Sequence, residues 1–183
     1  MKTIATFFLV FTAYCTGYSS AEAQLFVGAG PVYSLPQGTF ADVNKPSVGG
    51  TAFVGSRKYC NLWTGLRLDY IPYSVVDDAT SLISYGDAVM LSPEFRYFFK
   101  PATEFPVYLQ GMMIFSGIKG TDNASRTGLG AGAGIGGLLF YDTNCAGWFI
   151  DGNVRYMAPN LLRADARPSL NAINASISIN FGL

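Results

Sequence analysis

The feature that most constrains the fold is an alternation of apolar and polar residues with a period of two, which recurs along most of the chain beyond residue 24. Successive side chains of a β-strand point to opposite faces, so this period indicates strands. The clearest case is residues 127–141, in which glycine occupies every second position from 128 to 136. The pattern predicts eight strands, at residues 25–34, 48–57, 61–71, 84–99, 105–117, 127–141, 147–157 and 170–183.

The connections between these strands alternate in length. Residues 35–47, 72–83, 118–126 and 158–169 form long connections, whereas residues 58–60, 100–104 and 142–146 form short ones. In an up-and-down antiparallel barrel every second connection emerges at the same end. We therefore predict an all-β chain folded as an eight-stranded antiparallel up-and-down β-barrel, with its long connections at one end.

The alternation is clearest within the third, fourth, seventh and eighth predicted strands. In those clearest stretches every charged side chain lies on the polar face of its strand. Three of these side chains are positive and three are negative, so their formal charges balance: Arg67, Asp69, Glu94, Arg96, Asp151 and Arg155. The rest of the polar faces consists mainly of Ser, Asn, Gly and Thr, while Leu, Ile, Val, Phe and Tyr fill the opposite faces.

Composition decides which face lies outside. Charged residues make up 13% of the chain, about half of the roughly 25% typical of soluble domains, which is too few to cover a wet exterior. Aromatic residues also collect near both strand ends, as in the two interfacial girdles of membrane barrels: Tyr59, Phe99, Phe105, Tyr141, Trp148 and Phe181 at one end, and Tyr33, Tyr70, Tyr73, Tyr85, Phe115 and Tyr156 at the other. We expect a transmembrane barrel with its apolar face toward lipid. The alternative is a soluble barrel with its apolar face inward.

Residues 1–23 have the three parts of a secretory signal peptide. Lys2 is followed by an apolar run at residues 4–13 and by the small-residue motif Ala21-Glu22-Ala23, so cleavage is predicted before Gln24. The apolar run is too short for a spanning helix, which needs about 17–25 residues. Residues 24–183 then form the barrel domain. Export exposes Cys60 and Cys145 to an oxidising compartment, where a disulfide between them is possible.

The last residues, SISINFGL, contribute a further signal. With the eight strands, the alternating connections and the signal peptide, they give a chain that resembles the small outer-membrane-protein β-barrel family, of the kind seen in the transmembrane domain of outer membrane protein A. The resemblance implies an outer-membrane location in a Gram-negative-type bacterium and an assembly signal at Ser176, Phe181 and Leu183, which the barrel-assembly machinery reads. The sequence departs from that signal at Ser178, where glycine is usual, and at Leu183, where an aromatic residue is usual.

Barrel size predicts the state of the lumen. Eight strands enclose a space just wide enough for their own side chains, so we expect the six charged residues to pair and fill it. A gated narrow conductance is the alternative. The glycines of the sixth strand would leave interior volume for long neighbouring side chains. Pro31 and Pro93 each lack an N–H that a central strand requires, and so indicate a bulge or a misplaced strand.

Several function classes are disfavoured. The chain contains no histidine and has zero formal net charge, which removes histidine-dependent catalysis and gives no electrostatic footprint for nucleic acid. Gly132, Gly134 and Gly137 match a dinucleotide motif, but no helix can follow them. Asp77-Asp78 indicates a solvated loop tip. We expect no enzyme activity, no cofactor and no metal; the expected partners are outer-membrane lipid, the assembly machinery and an unidentified loop partner. A barrel-embedded enzyme and a soluble or periplasmic barrel for a small apolar ligand remain alternatives.

Overall fold

A computed structural model describes residues 24–59, 61–76, 85–100, 102, 104–120, 125–141, 147–161 and 170–183. The predicted signal peptide, Cys60, Cys145 and the Asp77-Asp78 pair lie outside these residues. Eight strands are present: β1 (Gln24–Pro36), β2 (Ser47–Tyr59), β3 (Leu62–Pro72), β4 (Tyr85–Phe98), β5 (Val107–Gly120), β6 (Ser125–Tyr141), β7 (Trp148–Ala158) and β8 (Ala172–Gly182). A short 3₁₀ helix, Gly38–Phe40, follows β1.

The strands close into one barrel in sequence order, and every neighbouring pair is antiparallel. The ring is completed by β1 and β8, for example through Val27 opposite Phe181. The predicted fold class is therefore confirmed. We call the end of the barrel that holds Gln24 and Gly182 the base, and the opposite end the mouth.

The predicted contrast between connections holds only in part. The sequence predicts a long β5–β6 connection at the mouth, but this connection spans only residues 121–124, because the ladder continues out to Lys119 opposite Ser125. The β4–β5 connection at the base spans residues 99–106 and is the longer of the two. Backbone pairing can continue beyond the apolar stretch of a strand, and the alternation of apolar and polar residues does not predict that extension.

The two faces of the wall separate as the alternation predicts. On β3, Arg67 and Asp69 are fully buried, while the intervening Leu68 and the following Tyr70 are both 46% exposed. Exposed apolar side chains recur on the outer face of the other strands, including Phe95 on β4 and Ile177 on β8. The apolar rows thus face outward, opposite to the arrangement of a soluble ligand carrier. Among the described residues, no helix has the length and apolar character needed to cross a membrane.

Side chains fill the interior in three layers. The aromatic plug lies toward the base and consists of Phe26, Phe53, Trp63, Phe98, Ala102, Tyr108, Leu138 and Phe149. The charged layer lies in the middle and consists of Arg67, Asp69, Glu94, Arg96, Asp151 and Arg155. The apolar cup lies toward the mouth and consists of Val32, Phe40, Val43, Ile71, Tyr73, Ala88, Met90, Met112, Ile114, Ile118, Met157, Leu170 and Ala172. Tyr73, which the sequence places in the outer girdle, lies inside, where its ring packs against Phe40.

The two prolines cause no bulge, so that expectation is wrong. Pro31 pairs in register with Gly50, and Pro93 with Leu66. On the other side of each strand the ladder is interrupted for two residues and resumes in the same register, between Ala29 and Val32 on β1 and between Leu91 and Glu94 on β4. Because the missing N–H removes pairing on one side only, the strand absorbs it without inserting a residue.

The glycines of β6 form a smooth strip of interior wall, as predicted. A Cβ at Gly136 would collide with the ring of Tyr108, and one at Gly134 would collide with the backbone oxygen of Val154 on β7 and lie 3.0 Å from Gln110 Nε2. Side chains from β5 and β7 and the backbone of β7 therefore lie close against β6, which leaves no room for a larger residue in the strip.

Candidate functional site: the charged layer of the lumen

Three strands supply the six predicted interior charges. Arg67 and Asp69 lie on β3, Glu94 and Arg96 on β4, and Asp151 and Arg155 on β7. Within each pair the residues are two or four apart, so they share the inner face. None of the six exceeds 5% exposure.

Four of these residues form a continuous chain of charges. Arg67 Nε donates to Glu94 Oε2 at 2.7 Å, and Arg96 Nε donates to Glu94 Oε1 at 2.8 Å. Arg96 Nη1 then lies 3.0 Å from Asp151 Oδ2. Glu94 is thus shared by two guanidinium groups, and the chain crosses the lumen from β3 and β4 to β7.

Two neutral side chains extend this chain of charges. The hydroxyl of Tyr108 on β5 donates to Asp151 Oδ1 at 2.5 Å. Arg67 Nη1 also donates to the hydroxyl oxygen of Thr51 on β2, at 3.1 Å. The bond from Tyr108 to Asp151 passes in front of the glycine strip of β6, which is why that strand carries no interior side chain at this level.

The remaining two charges form a separate pair across the ring. Arg155 Nη1 lies 3.1 Å from Asp69 Oδ2, and Nη2 lies 3.5 Å from Oδ1. Strands β3 and β7 are four positions apart in the closed ring and so face each other. This pair therefore ties opposite walls of the barrel together.

The charged layer also packs directly on the aromatic plug. The Arg96 guanidinium carbon lies 4.3 Å from the centroid of the Phe53 ring and 5.0 Å from that of Tyr108. The Arg67 guanidinium carbon lies 5.2 Å from the same Phe53 centroid. Cation–π contacts of this kind gain strength when both groups are removed from water, so the layer and the plug form one unit.

Phe53, Tyr108 and Thr51 are not among the interior residues predicted from the sequence. Their inward phase is a usable signal, since Phe53 follows Thr51 by two residues and Tyr108 precedes Gln110 by two. The signal is masked because aromatic residues are also typical of the lipid-facing rows. Inside, the Phe53 ring is accommodated by glycine: Cβ atoms at Gly55 and Gly65 would both collide with it.

The arrangement neutralises charge and closes space. Every carboxylate in the layer is ion-paired with a guanidinium group, which leaves no carboxylate poised as an unpaired acid or base. Among the residues that the structure describes, no group of three His, Cys, Asp or Glu side chains could hold a metal ion.

The residues of the predicted assembly signal lie on both faces of β8. Ser176 points inward, and its hydroxyl donates to Asn153 Oδ1 at 3.0 Å. Phe181 and Leu183 are 55% and 77% exposed on the outer surface of the base. The aromatic and terminal positions of the pattern are therefore accessible from outside the barrel.

A closed eight-stranded wall with an apolar exterior, and with a charged layer buried between the plug and the cup, defines the class of the protein as a small β-barrel of the outer-membrane type. Comparison with solved structures gives the same class. The chain is similar to Neisserial surface protein A, at 14% identity and a TM-score of 0.53, over 89% of this chain and 99% of that one. It is also similar to a major outer membrane protein from Thermus thermophilus, at 13% identity and a TM-score of 0.53, over 89% of this chain and all of the other. No protein-family model matches the sequence, and no curated protein matches it.

Proposed function

We propose that the protein is a non-enzymatic integral outer-membrane barrel whose lumen is closed and whose role is in envelope integrity or in surface contact through the connections at its mouth. The observation that carries the proposal is the filling of the interior in three successive layers, with the charged layer between the plug and the cup. Free diffusion of solutes through such a lumen requires displacing all three.

The exterior supports the membrane location. Burying an exposed apolar side chain is worth about 1.5–3 kcal/mol, and lipid tails cover such a row more favourably than water. Leu68, Val89 and Ile179 belong to the apolar outer faces of β3, β4 and β8, and each is more than 40% exposed. We therefore expect the mature protein to stay in the membrane fraction after alkaline carbonate and to need detergent for release. Release by carbonate alone would contradict the membrane location.

Measurement of ion current through the protein tests whether its lumen is closed. Purified protein in planar bilayers should show no stable ion current. The matched variant is Arg96→Ala, because Arg96 contacts the charged layer through Glu94 and Asp151 and the plug through Phe53. If the charged layer closes the lumen, the Arg96→Ala protein should show bursts of ion current that the unaltered protein does not show. A steady current in the unaltered protein would support a gated conductance instead.

The absence of histidine from the sequence and the pairing of the interior carboxylates support a non-enzymatic role. Purified protein should therefore leave phospholipid and peptide substrates intact under conditions in which an added lipase or protease degrades them. Turnover that scales with protein concentration and is lost in the Arg96→Ala or Asp69→Asn variant would identify an enzyme.

A further inference from the structure

Two side chains of the apolar cup come from the connection that follows β1. Phe40 ends the 3₁₀ helix after β1 and Val43 follows it, yet they are only 2% and 4% exposed. We call residues 38–43 the lid. Its apolar side chains occupy the mouth of the barrel as a bound molecule would, and barrel mouths are frequent ligand sites.

The lid is a compact turn that enters the mouth at a glycine. Gly38 has φ +58°, a left-handed conformation that only glycine adopts readily. The turn closes on itself through the Ala41 N–H to Gly38 O, at 2.9 Å, and the Asn44 N–H to Phe40 O, at 3.0 Å. The lid is therefore a compact unit with hydrogen bonds of its own.

Backbone hydrogen bonds hold the lid before it, at its last residue and after it. At the last residue, the Val76 N–H donates to Val43 O at 3.0 Å. Before the lid, the Gln37 N–H donates to Asn171 O at 2.8 Å, which ties the residue before the lid to the residue before β8. After it, the Lys45 N–H donates to Ser74 O at 2.8 Å, and Asn44 forms an isolated antiparallel bridge with Val75. These latter bonds join two connections of the mouth to each other.

Below the lid the wall is adaptable. Three methionines, Met90, Met112 and Met157, line the cup and are at most 5% exposed. A Cβ at Gly132 would lie 3.1 Å from Met112 Cγ and 3.2 Å from Met157 Sδ, so these two side chains lie side by side in front of β6. Unbranched thioether side chains repack around guests of different shape.

We propose that the cup is a binding site for a small, uncharged apolar molecule about the size of a phenyl ring, and that the lid covers this site when it is empty. The aromatic side chain of Phe40, stacked edge-on against Tyr73 at 4.9 Å, marks the position and the chemistry of the guest. The floor of the cup is the charged layer, which stays closed, so the site takes up a molecule without forming a channel.

The four methionines after residue 23 provide a test with an internal control. Met113 is 51% exposed on the outer face, whereas the other three lie inside. Protein labelled with ¹³C at the methionine methyl groups is placed in phosphatidylcholine nanodiscs, and benzene is added while the methyl resonances are followed. We expect saturable shifts of the interior methyls. A shift of Met113 that stays linear reports benzene dissolved in lipid.

Two variants separate the site from the lid. Phe40→Ala vacates the guest position. If the lid is open about 1–10% of the time in the parent, this substitution should tighten the apparent Kd by about ten- to a hundredfold. Asn44→Cys with Val75→Cys, in a chain with Cys60 and Cys145 replaced by serine, locks the lid, because bridged residues lie within disulfide reach. The locked form should show no saturable shift until it is reduced.

Unmoved interior methyls in both the parent and the reduced double-cysteine chain would overturn the proposal. So would equal binding in the locked and reduced forms. Either result leaves the proposed membrane role standing, since it requires a barrel inserted in the nanodisc. Failure of the protein to insert counts against that role.

Discussion

Removing one partner of the Arg155–Asp69 pair tests whether the charged layer holds the barrel together. The Asp69→Asn substitution keeps the shape of the side chain and removes its charge. At the observed separation of 3.1 Å, the attraction between the two groups is about 5 kcal/mol for an effective dielectric constant of about 20. Since both side chains are fully buried, losing one leaves a buried charge, at an expected cost of about 3–5 kcal/mol.

The compensating change separates this cost from lost packing. In Asp69→Asn with Arg155→Gln both charges are absent, so the desolvation penalty disappears with the attraction. We expect the free energy of unfolding of this double variant to lie within about 1–2 kcal/mol of the parent, so that the second substitution recovers about 2–3 kcal/mol of the stability lost in Asp69→Asn alone. Asp42→Asn is the control, because Asp42 is an exposed acid in the connection after β1, where substitution changes stability by about 0.5 kcal/mol or less.

The measurement is guanidinium unfolding of protein in short-chain phosphatidylcholine vesicles, followed by the fluorescence of Trp63 and Trp148, the two tryptophans of the chain. One lies in the plug and one on the outer surface of the base, so they report the interior and the lipid interface. A cost below about 1 kcal/mol for Asp69→Asn, or a double variant less stable than the single one, would refute a stabilising role for this pair.

Three further changes have expected outcomes. Gly136→Leu overfills the interior strip of β6 and should lower the free energy of unfolding by about 1–3 kcal/mol or prevent folding, whereas Ala133→Leu on the outer face should be neutral; both are measured by the same unfolding assay. Phe181→Ala should slow assembly into membranes by purified assembly machinery, and Ile179→Ala, at a position the signal leaves variable, should not; equal rates would remove the signal. Burial raises the pKa of Tyr73 to about 12, so the folded state retains this proton while the unfolded state loses it. Stability should therefore be unaffected below about pH 9 and fall between about pH 10 and 12 by up to about 2–3 kcal/mol; the fall should be smaller in Tyr73→Phe.

The sequence predicts the fold because one local rule acts along the whole chain. Side chains alternate between the two faces of a strand, so the odd or even position of a residue, its parity, decides whether its side chain faces lipid or the lumen. Parity places Arg67, Glu94 and Asp151 in the interior without any knowledge of their pairing. The ends of the strands obey no such rule. They depend on backbone hydrogen bonds to a neighbour, which is why β5 and β6 extend past the predicted boundary.

The partners within the charged layer are beyond the reach of the sequence. Parity places Arg155 and Asp69 inside, but their contact spans 86 positions of sequence and depends on the height of each residue on opposite walls. Height is set by strand tilt and stagger around the closed ring. Neither quantity leaves a local pattern in the sequence.

The prolines and the aromatic residues show how a correct rule gives a wrong conclusion when one contribution is missing. Pro93 lacks an N–H, but a strand in a closed wall has two neighbours, and the loss affects the pairing with only one of them. Aromatic residues are assigned to the lipid interface because girdles favour them there. Yet Tyr73, assigned to a girdle, packs inside against Phe40, and the ring of Phe53 fits inside because Gly55 and Gly65 have no side chains there.

Glycine placement therefore determines the interior more than the count of polar residues does. Where glycines face inward, as along β6 and at Gly55 and Gly65, the wall becomes thin enough for rings and arginines to cross the lumen and meet. The Arg96 guanidinium reaches Asp151 in that space while it stacks on Phe53 and Tyr108. A filled barrel of this size thus needs small residues on some strands as much as it needs large ones on others. The glycine at every second position of β6 meets that requirement.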